Sequence, residues 1–161
     1  MRTNRKVINA TPGELDGIVF KSLLERRAYR LYKEAGLEPS YEPEKIVLVE
    51  GFRPTTPFYA PCGKPKRLGL NARKVLDCTY TPDIVIKKGG ITYYVELKGF
   101  RTDSYEIKVK LFRKWLEDQP SRVFLELHSV GDVRESIRII NGREGNKGDA
   151  GQVAGQGRGN S

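Results

Sequence analysis

The chain has 161 residues, with 29 Lys+Arg against 20 Asp+Glu and a formal net charge of +9. That length supports one domain. No run of about 20 apolar residues offers a membrane span, and no apolar signal-peptide core follows the basic start Met1-Arg2-Thr3-Asn4-Arg5-Lys6. Two cysteines, Cys62 and Cys78, make no disulfide framework and set a reducing, cytoplasmic default. Cys62 has no second Cys or His at ligand spacing, which sets zinc aside.

Taken in chain order, residues 5–10 and 17–20 read as short strands around a turn at Pro12-Gly13. Residues 22–35 carry Leu24, Ala28, Leu31 and Ala35 at helical spacing, and Gly36 is a natural stop. Ser22-Leu23-Leu24-Glu25 has the form of a capping box, in which Glu25 returns to the Ser22 backbone N–H. Glu25 also borders the apolar stripe, so a second role at a helix–sheet boundary is open to it. Residues 45–50 read as a strand. Residues 51–74 are rich in Pro, Gly and basic side chains (Arg53, Lys64, Lys66, Arg67, Arg73, Lys74), with Phe52, Phe58 and Tyr59 interleaved. They fit either a surface loop or a β-arm whose charges and rings touch DNA.

Residues 80–86 and 91–98 are rich in β-branched and aromatic residues around Lys87-Lys88-Gly89-Gly90, which predicts an antiparallel hairpin. A turn centred on Lys88-Gly89 sets Asp83 opposite Tyr94. Asp83, Tyr94, Glu96 and Lys98 then share one face, with Asp83 and Glu96 as diagonal neighbours about 7–8 Å apart. A helix over 104–118 follows. Asp103 and Glu106 suit its cap, Ile107, Leu111 and Trp115 form its expected inward stripe, and Lys110, Arg113 and Lys114 lie off that stripe. Residues 122–128 read as a last strand ending at His128, taken as a plain strand-end residue. The tail 141–161 is Gly-rich and polar and is expected to be disordered. The expected fold class is α/β of the mixed α+β kind: an αβββαβ core with a mixed central sheet flanked by helices, spanning 1–140.

Two carboxylates and a lysine on one hairpin face suit phosphodiester hydrolysis. Mg²⁺ prefers hard oxygen ligands, usually one or two carboxylates with water and phosphate completing the shell. Asp83 and Glu96 supply the carboxylates, the Leu97 backbone carbonyl is a further ligand, and Lys98 suits water orientation or offsetting of phosphate charge. Mn²⁺ is an expected substitute. The bland alternative is a solvated strand face with a surface charge pair. A basic chain attracts phosphate regardless of sequence, although ribosomal and membrane-surface proteins share that charge.

Ser22-Leu23-Leu24-Glu25, Tyr41-Glu42, Tyr80-Thr81-Pro82-Asp83 and Val95-Glu96-Leu97-Lys98-Gly99 together resemble the PD-(D/E)XK nuclease superfamily. They look most like phage endonuclease I-type Holliday-junction resolvases and related phage nucleases, over residues 19–127. The resemblance implies a restriction-endonuclease-like core and a catalytic helix Glu at Glu25, which joins Asp83 and Glu96 in binding one or two metals. It also implies a metal-binding Asp at Asp83 and the E-x-K pair at Glu96 and Lys98. A metal-dependent DNA endonuclease follows as the expectation, with DNA as partner, a homodimer, and a phage or mobile-element origin in a bacterial host. Lys108, Lys110, Arg101, Arg67 and Arg73 are the expected DNA contacts. The connection 50–78 is longer than this resemblance implies, which leaves substrate shape open. A catalytically silent DNA-binding or accessory subunit of a recombination or phage replication complex, and an RNA-directed nuclease, are the other readings.

Overall fold

The computed structural model describes residues 13–64, 67–98 and 103–142. In chain order, β1 (Gly13–Leu15) and β2 (Ile18–Phe20) form a hairpin, followed by α1 (Leu23–Glu34), β3 (Pro39–Tyr41) and β4 (Ile46–Val49). Next come β5 (Tyr59–Cys62), β6 (Arg67–Leu70), β7 (Cys78–Tyr80), β8 (Ile84–Lys88) and β9 (Ile91–Leu97). α2 (Asp103–Glu117), β10 (Arg122–Leu127) and α3 (Val130–Gly142) complete the order. No described helix is long and apolar enough to cross a membrane.

The centre is a four-stranded sheet ordered β10-β9-β8-β3. β3, β8 and β9 pair antiparallel, and β10 runs parallel to β9. A parallel neighbour needs a long crossover, and α2 supplies it. With the excursion from β4 to β7 set aside, the order is α1, β3, β8, β9, α2, β10. The mixed α+β class read from the sequence is therefore present. The first strand of the core is β3, which the sequence reading did not place; the strand expected at 45–50 is β4, which pairs with β7 in a separate two-stranded sheet.

The sheet buries both faces, because its strands alternate between two cores. Ile84, Ile86, Tyr93, Val95 and Leu97 pack with Ala28, Tyr29 and Tyr32 of α1 and with Val133 and Ile140 of α3. Val85 and Tyr94 pack on the other face with Ile46, Tyr80 and Phe112. The Phe112 ring stacks on Tyr80 at 4.4 Å.

Several expectations need correction. The first turn is Asp16-Gly17, with φ of 54° and 76°, while Gly13 already belongs to β1. Two consecutive positive φ values match the twist of a two-residue hairpin. The expected strand 5–10 lies outside the described residues. The α2 stripe is turned from its expected position: Val109 and Phe112 are buried, and Ile107 is 59% exposed. Two apolar rows run along α2, and the aromatic cluster of Tyr80, Tyr94 and Phe124 draws in the row containing Phe112. The side chain of Asp103 lies outside the described ones.

α3 had no counterpart in the sequence reading, and it covers the first two residues assigned there to the tail. Its signal was present. Ser129 Oγ accepts the Asp132 N–H at 3.2 Å while Asp132 Oδ2 accepts the Ser129 N–H at 2.9 Å. That is a reciprocal cap ahead of the buried positions Val133, Ser136 and Ile140. Ser136 meets the Tyr32 hydroxyl at 2.7 Å and ties α3 to α1.

Candidate functional site

The site forms where β8 begins and β9 ends. The hairpin turn is Gly89-Gly90, both with positive φ, and it pairs Lys88 with Ile91 and Ile84 with Val95. The turn is thus one residue later than the expected centre at Lys88-Gly89. Moving the turn by one residue shifts each partner by two, and two is the side-chain period of a strand. Asp83 and Glu96 consequently keep their common face, but they stand directly across from each other by continuation of the register, instead of diagonally.

Pro82 explains why the ladder stops there. Ile84 and Val95 occupy facing positions in β8 and β9, and two residues further on Pro82 faces Leu97. Proline has no N–H to donate. The Leu97 N–H is taken by Asp83 Oδ2 at 2.7 Å. N–H and C=O of one extended residue point to the same side of a strand, so the Leu97 carbonyl faces the Asp83 side with no rung donor from Pro82. On the other flank, the Asp83 carbonyl accepts the Glu42 N–H at 2.9 Å. Glu42 takes the unusual φ of 41° as the chain leaves β3.

A cavity of about 420 Å³ opens at this end of the sheet. Glu25, Asp83, Glu96, Leu97, Lys98 and Lys108 all line it. Of the other expected contacts, Lys110, Arg67 and Arg73 are exposed and do not line it. Arg101 lies outside the described residues. The wall also holds Lys21, Glu42, Tyr80 and Tyr105, none of which the sequence reading placed in the site. A larger hollow of about 530 Å³ lies between α2 and β10. Its charged lining is two acids, Glu117 and Glu126, against two bases, Arg113 and Arg122, so no net charge there awaits a ligand.

Three carboxylates of the site are buried: Glu25 is 6% exposed, Asp83 9% and Glu96 3%. Burial of ionised groups is costly unless they are bonded or paired, and each is held in a particular way. Glu96 Oε1 meets Lys98 Nζ at 2.8 Å, and Oε2 accepts the Tyr80 hydroxyl at 2.5 Å. Glu25 Oε2 accepts the Lys21 N–H at 3.0 Å and the Tyr41 hydroxyl at 2.6 Å, while Oε1 accepts the Ser22 hydroxyl at 2.9 Å. The expected return of Glu25 to the Ser22 N–H is replaced by the bond to Lys21. Glu25 therefore caps α1 and lines the cavity at once. It can do both because it belongs to the buried row Glu25, Ala28, Tyr29 and Tyr32, not to that row's border.

The electrostatics follow from this crowding. Burial, then the charge of Glu96, push the Asp83 carboxyl up to about 7, against a smaller lowering by the Leu97 N–H. Burial works against the Lys98 ammonium, but its bond to Glu96 and the charges of Glu96, Asp83 and Glu25 outweigh that and keep its pKa above the ordinary value. Burial and Glu96 push the Tyr80 phenol up, and burial and the bond to Glu25 do the same to Tyr41. Both hydroxyls therefore remain donors. The Lys98 ammonium also sits 4.6 Å from the centre of the Tyr105 ring.

Lys21 pairs with Glu42, and Lys98 with Glu96. Among the described residues, no three His, Cys, Asp or Glu side chains converge closely enough to enclose a cation. The set that suits one is the facing pair Asp83 and Glu96 with the Leu97 carbonyl. Those are hard oxygen donors on adjacent strands, which fits the preference of Mg²⁺ for few protein ligands and several waters.

No family model and no curated protein matches the chain.

Proposed function

We propose that the chain is a Mg²⁺-dependent endonuclease that hydrolyses DNA phosphodiester bonds, of the PD-(D/E)XK type. The observation that carries the reading is the facing of buried Asp83 and Glu96 across the end of the β8–β9 hairpin, with Lys98 bonded to Glu96. Asp83, Glu96 and the Leu97 carbonyl would hold the cation, with Glu25 joining through the water around it. A cation bound there would acidify a water and offset charge on the phosphate; Mn²⁺ would serve as well. Lys98, kept cationic, would orient the attacking water and balance the developing charge. Tyr80 holds Glu96 in its rotamer and Tyr41 holds Glu25, so neither carboxylate swings when substrate enters. Lys108, at the cavity wall, would meet a phosphate oxygen. The net charge of +9 supports a polyanionic substrate.

Branched DNA as substrate, and a homodimer placing one site on each strand, belong to the same proposal. Cleavage of a four-way junction and of matched linear duplex, with Mg²⁺ and with EDTA, tests it in the wild type and in Asp83→Ala. Product mapping then gives the substrate shape, and sedimentation gives the oligomer. Activity that survives both chelation and the substitution overturns the reading.

A further inference from the structure

Between β4 and β7 the chain makes an excursion that stays folded back on itself. Paired residue numbers sum to 126 at Ile46–Tyr80, 127 at the isolated bridge Phe52–Val75 and 129 at Tyr59–Leu70. This slow drift describes one antiparallel ribbon with local irregularities. From Val49 to the tip at Cys62–Arg67 it spans up to about 40 Å at the usual rise per residue. Its root is fixed: Gly51 N–H is bonded to Asp77 Oδ1 at 2.7 Å, and a Cβ at Gly51 would lie 2.5 Å from the Val75 carbonyl oxygen. Its return strand runs directly into Thr81-Pro82-Asp83. The root of the ribbon, Thr79 and Tyr80, thus lines the cavity.

Its chemistry is one-sided. Residues 51–76 contain Arg53, Lys64, Lys66, Arg67, Arg73 and Lys74 and no acid, so this stretch carries +6 of the chain's +9. At the tip the pairing places Tyr59, Pro61, Leu68 and Leu70 on one face and Ala60, Cys62, Arg67 and Gly69 on the other. The apolar face is uncovered, with Leu68 73% and Tyr59 60% exposed. A second copy of the arm is a poor cover, because it would bring another +6 alongside. A polyanion complements the charge. Strands and two-stranded ribbons are known to read DNA from either groove, and uncovered Leu, Pro and aromatic side chains flanked by Arg and Lys suit apolar insertion at the minor groove.

We propose that this arm grips double-helical DNA beside the cut site. Its Tyr59–Leu70 face enters the minor groove and bends the duplex, while Arg67, Arg73 and Lys74 hold the flanking phosphates. The inference rests on the nuclease reading only for the nature of the ligand. The test uses the full chain carrying Asp83→Ala, a fluorescent 30-bp duplex and a salt titration. Replacing Arg67, Arg73 and Lys74 together by Ala should lower the slope of log K against log salt by about 3. Leu68→Ser with Leu70→Ser should leave that slope unchanged but abolish bending read by end-to-end energy transfer. The exposed positions allow folding to be verified by circular dichroism. An unchanged slope in the first variant overturns the proposal. Equal binding of double-stranded RNA overturns it too, as does a second variant that changes only the sedimentation of the free protein. Duplex binding through the arm without cleavage by the wild type would refute the nuclease reading and leave the arm standing.

Discussion

The Tyr80 hydroxyl donates to Glu96 Oε2 at 2.5 Å, joining the root of the arm to the carboxylate that faces Asp83. Tyr80 is in turn fixed by stacking on Phe112, so the aromatic core under α2 sets the orientation of Glu96. Tyr80→Phe removes one donor from a buried carboxylate and little volume. It should cost about 1–3 kcal/mol of stability and raise the Mg²⁺ concentration needed for half-maximal cleavage. Thermal unfolding and a metal titration check the two effects, and an unchanged metal requirement would show that Glu96 needs no such support.

Asp83 makes stability depend on pH in the absence of metal. Its folded pKa of about 7 lies above the ordinary 3.8. The folded chain therefore binds its proton more tightly than the unfolded chain does. That contribution is complete below about pH 4 and is lost as pH rises through about 7. In EDTA the melting temperature should fall between pH 5 and pH 8, and Asp83→Asn should flatten that fall. Added Mg²⁺ should stabilise the wild type more at pH 8 than at pH 5. A pH profile identical in wild type and Asp83→Asn would refute the assignment.

Pro82 and Leu97 allow a second test of the metal set. Pro82→Ala supplies a rung N–H for the Leu97 carbonyl and loosens the unfolded chain. The stability cost should be modest, about 0.5–1 kcal/mol. The apparent affinity for Mg²⁺ should drop more than the melting temperature suggests. Calorimetric titration of Mg²⁺ into both proteins reads this directly, and equal affinities would exclude the carbonyl as a ligand.

Glu25 can be separated into its two roles. Glu25→Gln keeps one oxygen to accept the Lys21 N–H and the Tyr41 hydroxyl, turns an NH2 toward the Ser22 hydroxyl, which can accept it, and loses the charge. It should fold nearly as well as the wild type and cleave more slowly by at least tenfold. Glu25→Ala also loses the cap, which costs about 1 kcal/mol more. If Gln and wild type cleave equally, Glu25 is a cap alone.

Local pattern carried much of this protein. The 3.6-residue spacing across 22–35, the alternation in 91–98 and the paired glycines at 89 and 90 were legible because their causes lie within a few residues. The common face of Asp83 and Glu96 was legible for a narrower reason: the misplaced turn moved the register by two, which preserves the face but turns the expected diagonal pair into a facing one. The capping pair Ser129 and Asp132 was equally local, and α3 was missed although its signal was there.

Partners distant in the chain could not be read in the same way. Tyr80 of β7 bonds to Glu96 of β9, and Tyr41 of β3 bonds to Glu25 of α1, contacts set by how separate elements pack. Which row of α2 turns inward depended on aromatic rings from three other elements. By itself the sequence determined the first two helices, the hairpin and the common face of Asp83, Glu96 and Lys98, since propensity and side-chain alternation act over short spans. Only the tertiary structure decided which hydroxyls hold the carboxylates, how deeply Asp83 is buried beside Glu96, and that the basic excursion is an arm rooted in the wall of the site. Burial, charge crowding and long-range pairing exist only once the chain has closed on itself.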